Sequence, residues 1–329
     1  RAADPAPSRR PRPEPPTPPR AADHSHCGPT TCSLMTDTRT SRSFDADHLG
    51  IALILVSAIG FGTLGIFGLY AQRAALSIPT VLAVRFLLAS VLVWGYLFWR
   101  GNATVLRGRH LGFALVLGGV GYTAQSGLYF LGLEYMTAGL VAIVLYTYPA
   151  FVVLLAVATI GERLSRSVLL ALCLSFAGIV LITGATPEGA SIVGVLIVLG
   201  GAIAYACYIT GSRAVLDAVD PMVLTAYVLP SAGVAYVGIG TATGQLAVPS
   251  TPQAWTILFC IAVFATAVPV VTFFAGLQYI GASRASIVST AEPTVTVVLG
   301  AALFAEPVTA TTVIGGAAIL TGVIVLERE

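Results

Sequence analysis

Two ionisable side chains, Glu292 and Arg85, stand inside long apolar runs of this sequence. Glu292 lies nine residues into the run 283–304, which at about 1.5 Å per helical residue is ~14 Å deep. An ionised carboxylate there costs about 2.5–3.5 kcal/mol on insertion scales, so it must face a wet cavity, meet a partner or carry a proton. Contact with a solute or coupling to an ion is the chemistry it offers. A structural Glu beside a Pro293 kink is the plainer alternative. Arg85, about six residues into the run 79–99, can snorkel outward or reach the centre and bind a carboxylate. An ion pair between Arg85 and Glu292 is also within geometric reach.

Other polar side chains in apolar runs extend the candidate set. Tyr146 and Tyr148 are phenols that need hydrogen-bond partners, and a cavity supplies them as readily as packing does. Gln125, Tyr122 and Tyr129 fall on one helical face and form a second candidate lining. Pro149, Pro293, Pro230 and Pro269 free backbone carbonyls inside helices, and Pro149 and Pro293 are the candidate hinges. Glu162 and Glu306 follow two of the runs and suit capping or loop roles. Gly60-Phe61-Gly62-Thr63-Leu64-Gly65 matches a dinucleotide fingerprint, yet it lies within an apolar run rather than at a strand-to-helix turn. It reads as a packing stripe. The spacing of His24, His26, Cys27 and Cys32 fits no standard zinc pattern, so no metal and no cofactor are expected.

Composition dictates the solvent in which these residues must be held. The chain is 56% hydrophobic and 10% charged, with mean hydropathy +0.88, against about 25% charged in soluble domains. Thirteen of the 32 charged residues precede position 49, which leaves too few to coat a water-facing body. Lipid is therefore the expected solvent. Every basic residue is Arg, and the net charge of +2 gives no reason to expect nucleic acid. The five Cys support no disulfide framework.

Residues 1–48 are rich in Pro, Arg, Ala, Ser and Thr and read as a disordered cytoplasmic tail. Met35 is the first Met, and the natural start is expected there. Ten runs of membrane-spanning length follow, at 49–70, 79–99, 111–132, 137–159, 167–184, 191–212, 222–242, 254–278, 283–304 and 309–326. With the amino terminus placed in the cytoplasm, the even loops hold seven Arg and the odd loops only Arg73. Both termini are therefore expected on the cytoplasmic side of the cell (inner or plasma) membrane.

The second half of the body repeats the first. Residues 132–181 align with 276–325 at a constant offset of 144, with 12 identities in 50 positions, among them Pro149/Pro293 and Glu162/Glu306. Five helices per copy is an odd number, so the second copy must enter the membrane from the opposite face. The expected fold is thus all-α integral membrane, with ten transmembrane helices in a 5+5 inverted-topology repeat around a central cavity.

Several motifs carry a family resemblance. Val84-Arg85-Phe86-Leu87-Leu88-Ala89, Tyr146-Thr147-Tyr148-Pro149, Gly161-Glu162-Arg163-Leu164-Ser165 and Gly178-Ile179-Val180-Leu181 resemble the EamA branch of the drug/metabolite transporter superfamily. Glu292-Pro293 and Ala305-Glu306-Pro307 repeat the pattern. The resemblance covers about residues 50–326 and sets the repeats at 49–184 and 191–326. It implies export or exchange of amino acids, metabolites or drugs.

The function expected is secondary transport of a small metabolite, an amino acid or related compound moved outward by alternating access. Drug or toxic-compound efflux is the alternative within transporters. From other classes, a lipid-modifying enzyme and a non-transporting subunit compete. After residue 48 the only His is His110, which leaves little acid–base machinery for an enzyme. The expected partners are a small-molecule substrate, the lipid bilayer and protons. A homodimer stays open, and nucleic acid is not expected.

Overall fold

A computed structural model describes residues 47–160, 166–184 and 191–327. The expected tail up to residue 46 lies outside them, as does Glu162. Among the described residues the regular structure is entirely helical. In chain order the helices are α1 (Asp47–Arg73), α2 (Ile78–Trp99), α3 (Gly108–Gly132), α4 (Ala138–Leu155), α5 (Arg166–Gly184), α6 (Ile192–Leu216), α7 (Pro221–Ala242), α8 (Pro252–Gly281), α9 (Ile287–Phe304) and α10 (Ala310–Glu327). Eight are long and apolar enough to cross a membrane, and α5 and α10 carry the shorter apolar stretches Leu169–Leu181 and Ala310–Val325. Large apolar side chains face outward along the rods. Val91, Phe98, Phe176, Leu196 and Val234 are each 63–71% exposed, the surface that acyl chains solvate.

Short polar loops set where helices begin. Ser77 caps α2 by accepting from Thr80 N (3.4 Å), with Pro79 in the first turn. Asp220 caps α7 through Met222 N (2.8 Å) and Val223 N (3.2 Å), with Pro221 leading the helix. Thr251 caps α8 through Ala254 N (3.2 Å), ahead of Pro252. Each cap satisfies N–H groups that the helix itself leaves free, and proline in the first turn removes a donor that had no partner.

Packing follows a two-fold pattern. α2 packs on α7, α4 on α9 and α5 on α10, each helix against its counterpart in the other half. α3 packs on α6, and the exchanged pair, α8 on α1, is also in contact. Swapping the halves maps this pattern onto itself, as an internal duplication requires. The glycines of the fingerprint-like run serve that packing: Gly60 meets Pro269, Gly62 meets Val295, and Gly65 meets Ala138. The run is a close-approach stripe on α1, not a loop.

One close approach holds α3 to α7. A methyl on Gly118 would press on the Val228 carbonyl and lie 2.8 Å from Ser231 Cβ. Gly118→Ala is expected to destabilise the protein by about 1–3 kcal/mol through overpacking. At Gly112 in the same helix a methyl meets nothing within 4 Å, and Gly112→Ala is expected to change stability by less than about 1 kcal/mol. Thermal unfolding in detergent compares the two variants, and equal midpoints would show that this contact contributes nothing.

Candidate functional site

α4 and α9 are interrupted at repeat-related residues. In α4 the segment Ala138–Leu145 ends at Tyr146 and Thr147, and the helix restarts at Tyr148. In α9 the break falls at Thr290, and the helix restarts as Ala291–Phe304. Pro149 and Pro293 occupy the first turns of the restarted helices, where proline is at home. Glu292 also lies in that first turn. The free N–H groups at such a helix end carry positive partial charge and attract an anionic group.

Near these breaks the helices α1, α2, α3, α4, α6, α7, α8 and α9 enclose a cavity of about 270 Å³. Its polar wall holds Glu292 and Ser289 from α9, Arg85 from α2, and Tyr122, Gln125, Ser126 and Tyr129 from α3. Tyr146 and Tyr148 from α4, Tyr205 and Tyr208 from α6, Thr225 from α7 and Ser57 from α1 complete it. Phe61, Leu64, Phe273 and Phe274 supply much of the apolar wall.

The two ionisable groups have separate, neutral partners. The Tyr146 hydroxyl donates to Glu292 Oε2 (2.9 Å) and to the Ser289 carbonyl (2.7 Å), sharing one hydrogen across the break in α9. Arg85 is 2% exposed and donates from Nε to Thr266 Oγ1 (2.8 Å). Its guanidinium lies 4.7 Å from the centre of the Phe86 ring, a cation–π contact. The outward-snorkelling alternative for Arg85 is not the one adopted. The ion pair between Arg85 and Glu292 does not form either: Arg85 bonds Thr266 of α8, and Glu292 bonds Tyr146 of α4. Among the described residues the one ion pair is Arg284–Asp47 (2.8 Å) at the surface.

Between the two charges runs an arc of rings. Tyr146, Tyr148, Tyr205, Tyr208, Tyr122 and Phe86 follow one another with centroids 4.6–6.0 Å apart. Edge and offset contacts of this kind stiffen the wall. The hydroxyls of Tyr129, Tyr205 and Tyr208 make no hydrogen bond among the described residues. Gln125 Oε1 accepts from Ser126 Oγ (3.0 Å), which leaves its amide N–H groups for the cavity. The cavity therefore offers one cation, one carboxylate and several neutral donors to a small polar solute.

The lining residues come in repeat pairs. At the offset of 144, Phe61 matches Tyr205, Leu64 matches Tyr208, Ser126 matches Val270, Tyr129 matches Phe273 and Leu145 matches Ser289, with both members of each pair on the wall. Glu292 matches Tyr148, and both lie on the wall. The duplication built a hollow lined from both halves, and divergence at this last pair put a carboxylate where the other half has a phenol.

Glu292, Arg85, Tyr146, Tyr148, Gln125 and Tyr122 thus share one cavity, although their places in the chain span more than 200 residues. The hinge candidates sit elsewhere: Pro149 does not line the cavity, and Pro293 faces a separate apolar groove of about 240 Å³ with Ile143, Val297 and Leu320. Glu306 is a cap, accepting from Ala138 N (2.8 Å) and Gly139 N (3.3 Å) at the start of α4. Tyr205, Tyr208, Thr266 and Ser57 were not singled out in the sequence.

The comparisons agree with this architecture. The model of the EamA-like transporter family matches residues 48–184 and again 192–328. A Bacillus subtilis (strain 168) protein named "uncharacterized transporter YcbK" is 28% identical over 281 residues, covering 81% of this chain and 88% of that protein. An "uncharacterized transporter" of Archaeoglobus fulgidus is 30% identical over 201 residues, covering 61% of this chain and 71% of that one. A solved crystal structure with 19% identity covers 85% of this chain and 96% of its own at a TM-score of 0.60, a likeness of fold. With both halves of its body matched, this multi-pass membrane chain belongs to the EamA-like transporter family.

Proposed function

We propose that the protein exports a small metabolite carrying both an anionic and a cationic group, an amino acid or a related compound, by alternating access. The observation that carries this reading is the cavity where the two halves meet, with Arg85 and Glu292 on its wall and not paired to each other. A zwitterion placed between them satisfies both charges in a region where each is otherwise costly. Arg85 supplies planar donors for a carboxylate. Glu292 takes an ammonium group, or a proton when the solute has left.

The cavity volume suits a small metabolite. At about 270 Å³ the cavity lies just below the 300–1,000 Å³ typical of drug-sized sites. A sugar phosphate would find a single guanidinium. The duplicated five-helix halves supply two nearly equivalent conformations, one open to each side, and the breaks in α4 and α9 give those halves places to bend. Export as the direction is supported by the family resemblance.

Flux measurements on purified protein in liposomes test the reading. Saturable movement of one or more zwitterionic amino acids is expected, faster when a pH gradient is imposed. Flux confined to bulky cationic drugs, or no flux across a broad metabolite panel, would sink it.

A further inference from the structure

Among the described residues each half carries one π-helical turn, at overlapping though not identical repeat positions, Leu117–Tyr122 in α3 and Val263–Ala267 in α8. A π turn brings residue i+5 over carbonyl i, and in both copies a threonine hydroxyl exploits that geometry. Thr123 Oγ1 donates to the Gly118 carbonyl (2.9 Å), and Thr266 Oγ1 donates to the Ile261 carbonyl (2.9 Å). In an ordinary α-helix, Thr hydroxyls reach three or four residues back, not five. π turns of this kind are common at functional sites.

The copy in α8 stands beside Arg85. A hydroxyl has one hydrogen, and Thr266 gives it to Ile261, so its oxygen faces Arg85 as a pure acceptor and takes Nε–H at 2.8 Å. Thr266 is fully buried, so no water competes for that oxygen. The partner is neutral, which matters for binding. A carboxylate in this place would cancel the charge on Arg85 and occupy its fork. A threonine takes only Nε–H and cancels no charge, so the terminal NH₂ groups, beside the Tyr122 hydroxyl, can still meet a ligand.

We infer that Thr266 is a positioning residue for Arg85, oriented by the π turn of α8, and that it aims the terminal nitrogens of Arg85 at the carboxylate of the transported solute. The inference rests on the proposed reading of the cavity as a site for a carboxylate-bearing metabolite. It adds the residue that sets how that carboxylate is held.

Thr266→Val and Thr266→Ser, compared with the unmodified protein, test it through two readouts. The first is solvent exchange of the Arg85 Nε–H, followed by NMR in protein labelled with ¹⁵N-arginine. Exchange is expected to be at least ~10-fold faster in Thr266→Val and close to the unmodified rate in Thr266→Ser, as loss and retention of one charge-assisted hydrogen bond require. The second is amino-acid flux in liposomes, with KM expected to rise about 10-fold in Thr266→Val, maximal rate within about two-fold, and Thr266→Ser near normal. Unchanged Nε–H exchange in Thr266→Val overturns the inference, and so does a fall in maximal rate with KM unmoved. If Thr266→Val does not fold, Thr266→Ser decides alone: fast exchange or a tenfold higher KM in that variant overturns it. If the unmodified protein moves no amino acid, the proposed function fails, while the exchange rates still show whether Thr266 holds Arg85.

Discussion

Glu292→Gln is expected to abolish transport driven by a pH gradient while leaving the protein folded. The substitution keeps the size of the side chain and keeps an oxygen where the Tyr146 hydroxyl now donates at 2.9 Å. The same hydroxyl still bonds the Ser289 carbonyl at 2.7 Å, so the break in α9 stays closed. What disappears is a group that can exist with or without a proton, together with the negative charge that would meet an ammonium group. A hydrogen bond to a charged group contributes about 1.5–3 kcal/mol, or roughly 10- to 150-fold in affinity. Loss of proton carriage adds to that, so the initial rate under a gradient is expected to fall by ~100-fold or more. The measurement is uptake into liposomes at matched protein load, with unfolding temperature as the control. A variant that still concentrates solute in response to a pH difference would show that Glu292 carries no proton.

Much of this site was legible because charge in an apolar run is costly and must be used. Glu292 and Arg85 stood out for that reason alone, and Pro149 and Pro293 marked breaks near residues 146 and 290. Tyr205, Tyr208 and Thr266 were harder to read. A buried phenol or threonine is common in a membrane helix, and in a rod that is apolar all round no periodicity says which side faces a cavity. The π turns left no usable mark either. The first is glycine-rich, but the second, Val263–Ala267, contains neither glycine nor proline. The partner of each charge was likewise beyond the sequence. Opposite charges suggested an ion pair, whereas the fold supplies Tyr146 to one and Thr266 to the other.

That separation of charges makes Arg85→Lys the sharpest probe of recognition. Lysine keeps the positive charge, so any effect isolates geometry from electrostatics. In the present arrangement Arg85 spends Nε on Thr266 Oγ1 and holds its guanidinium over the Phe86 ring, while the side chain lines the cavity. An ammonium group has no such division of labour. It is a point charge, and a bond to Thr266 draws it away from the cavity rather than aiming it inward. Losing one arm of a bidentate carboxylate contact costs about 1.5–3 kcal/mol, so KM for the zwitterionic solute is expected to rise roughly 10- to 150-fold. The fold should survive, since the buried charge and its aromatic neighbour both remain. The amide analogue of the same solute, which has no carboxylate, should bind the variant and the unmodified protein alike. Competition between the two analogues in liposomes measures this directly. Equal losses for both would mean that Arg85 shapes the cavity as a whole and holds no carboxylate. A loss confined to the acid would place the solute's carboxylate on α2 and, because Glu292 is the one other charge on the wall, its ammonium group on α9.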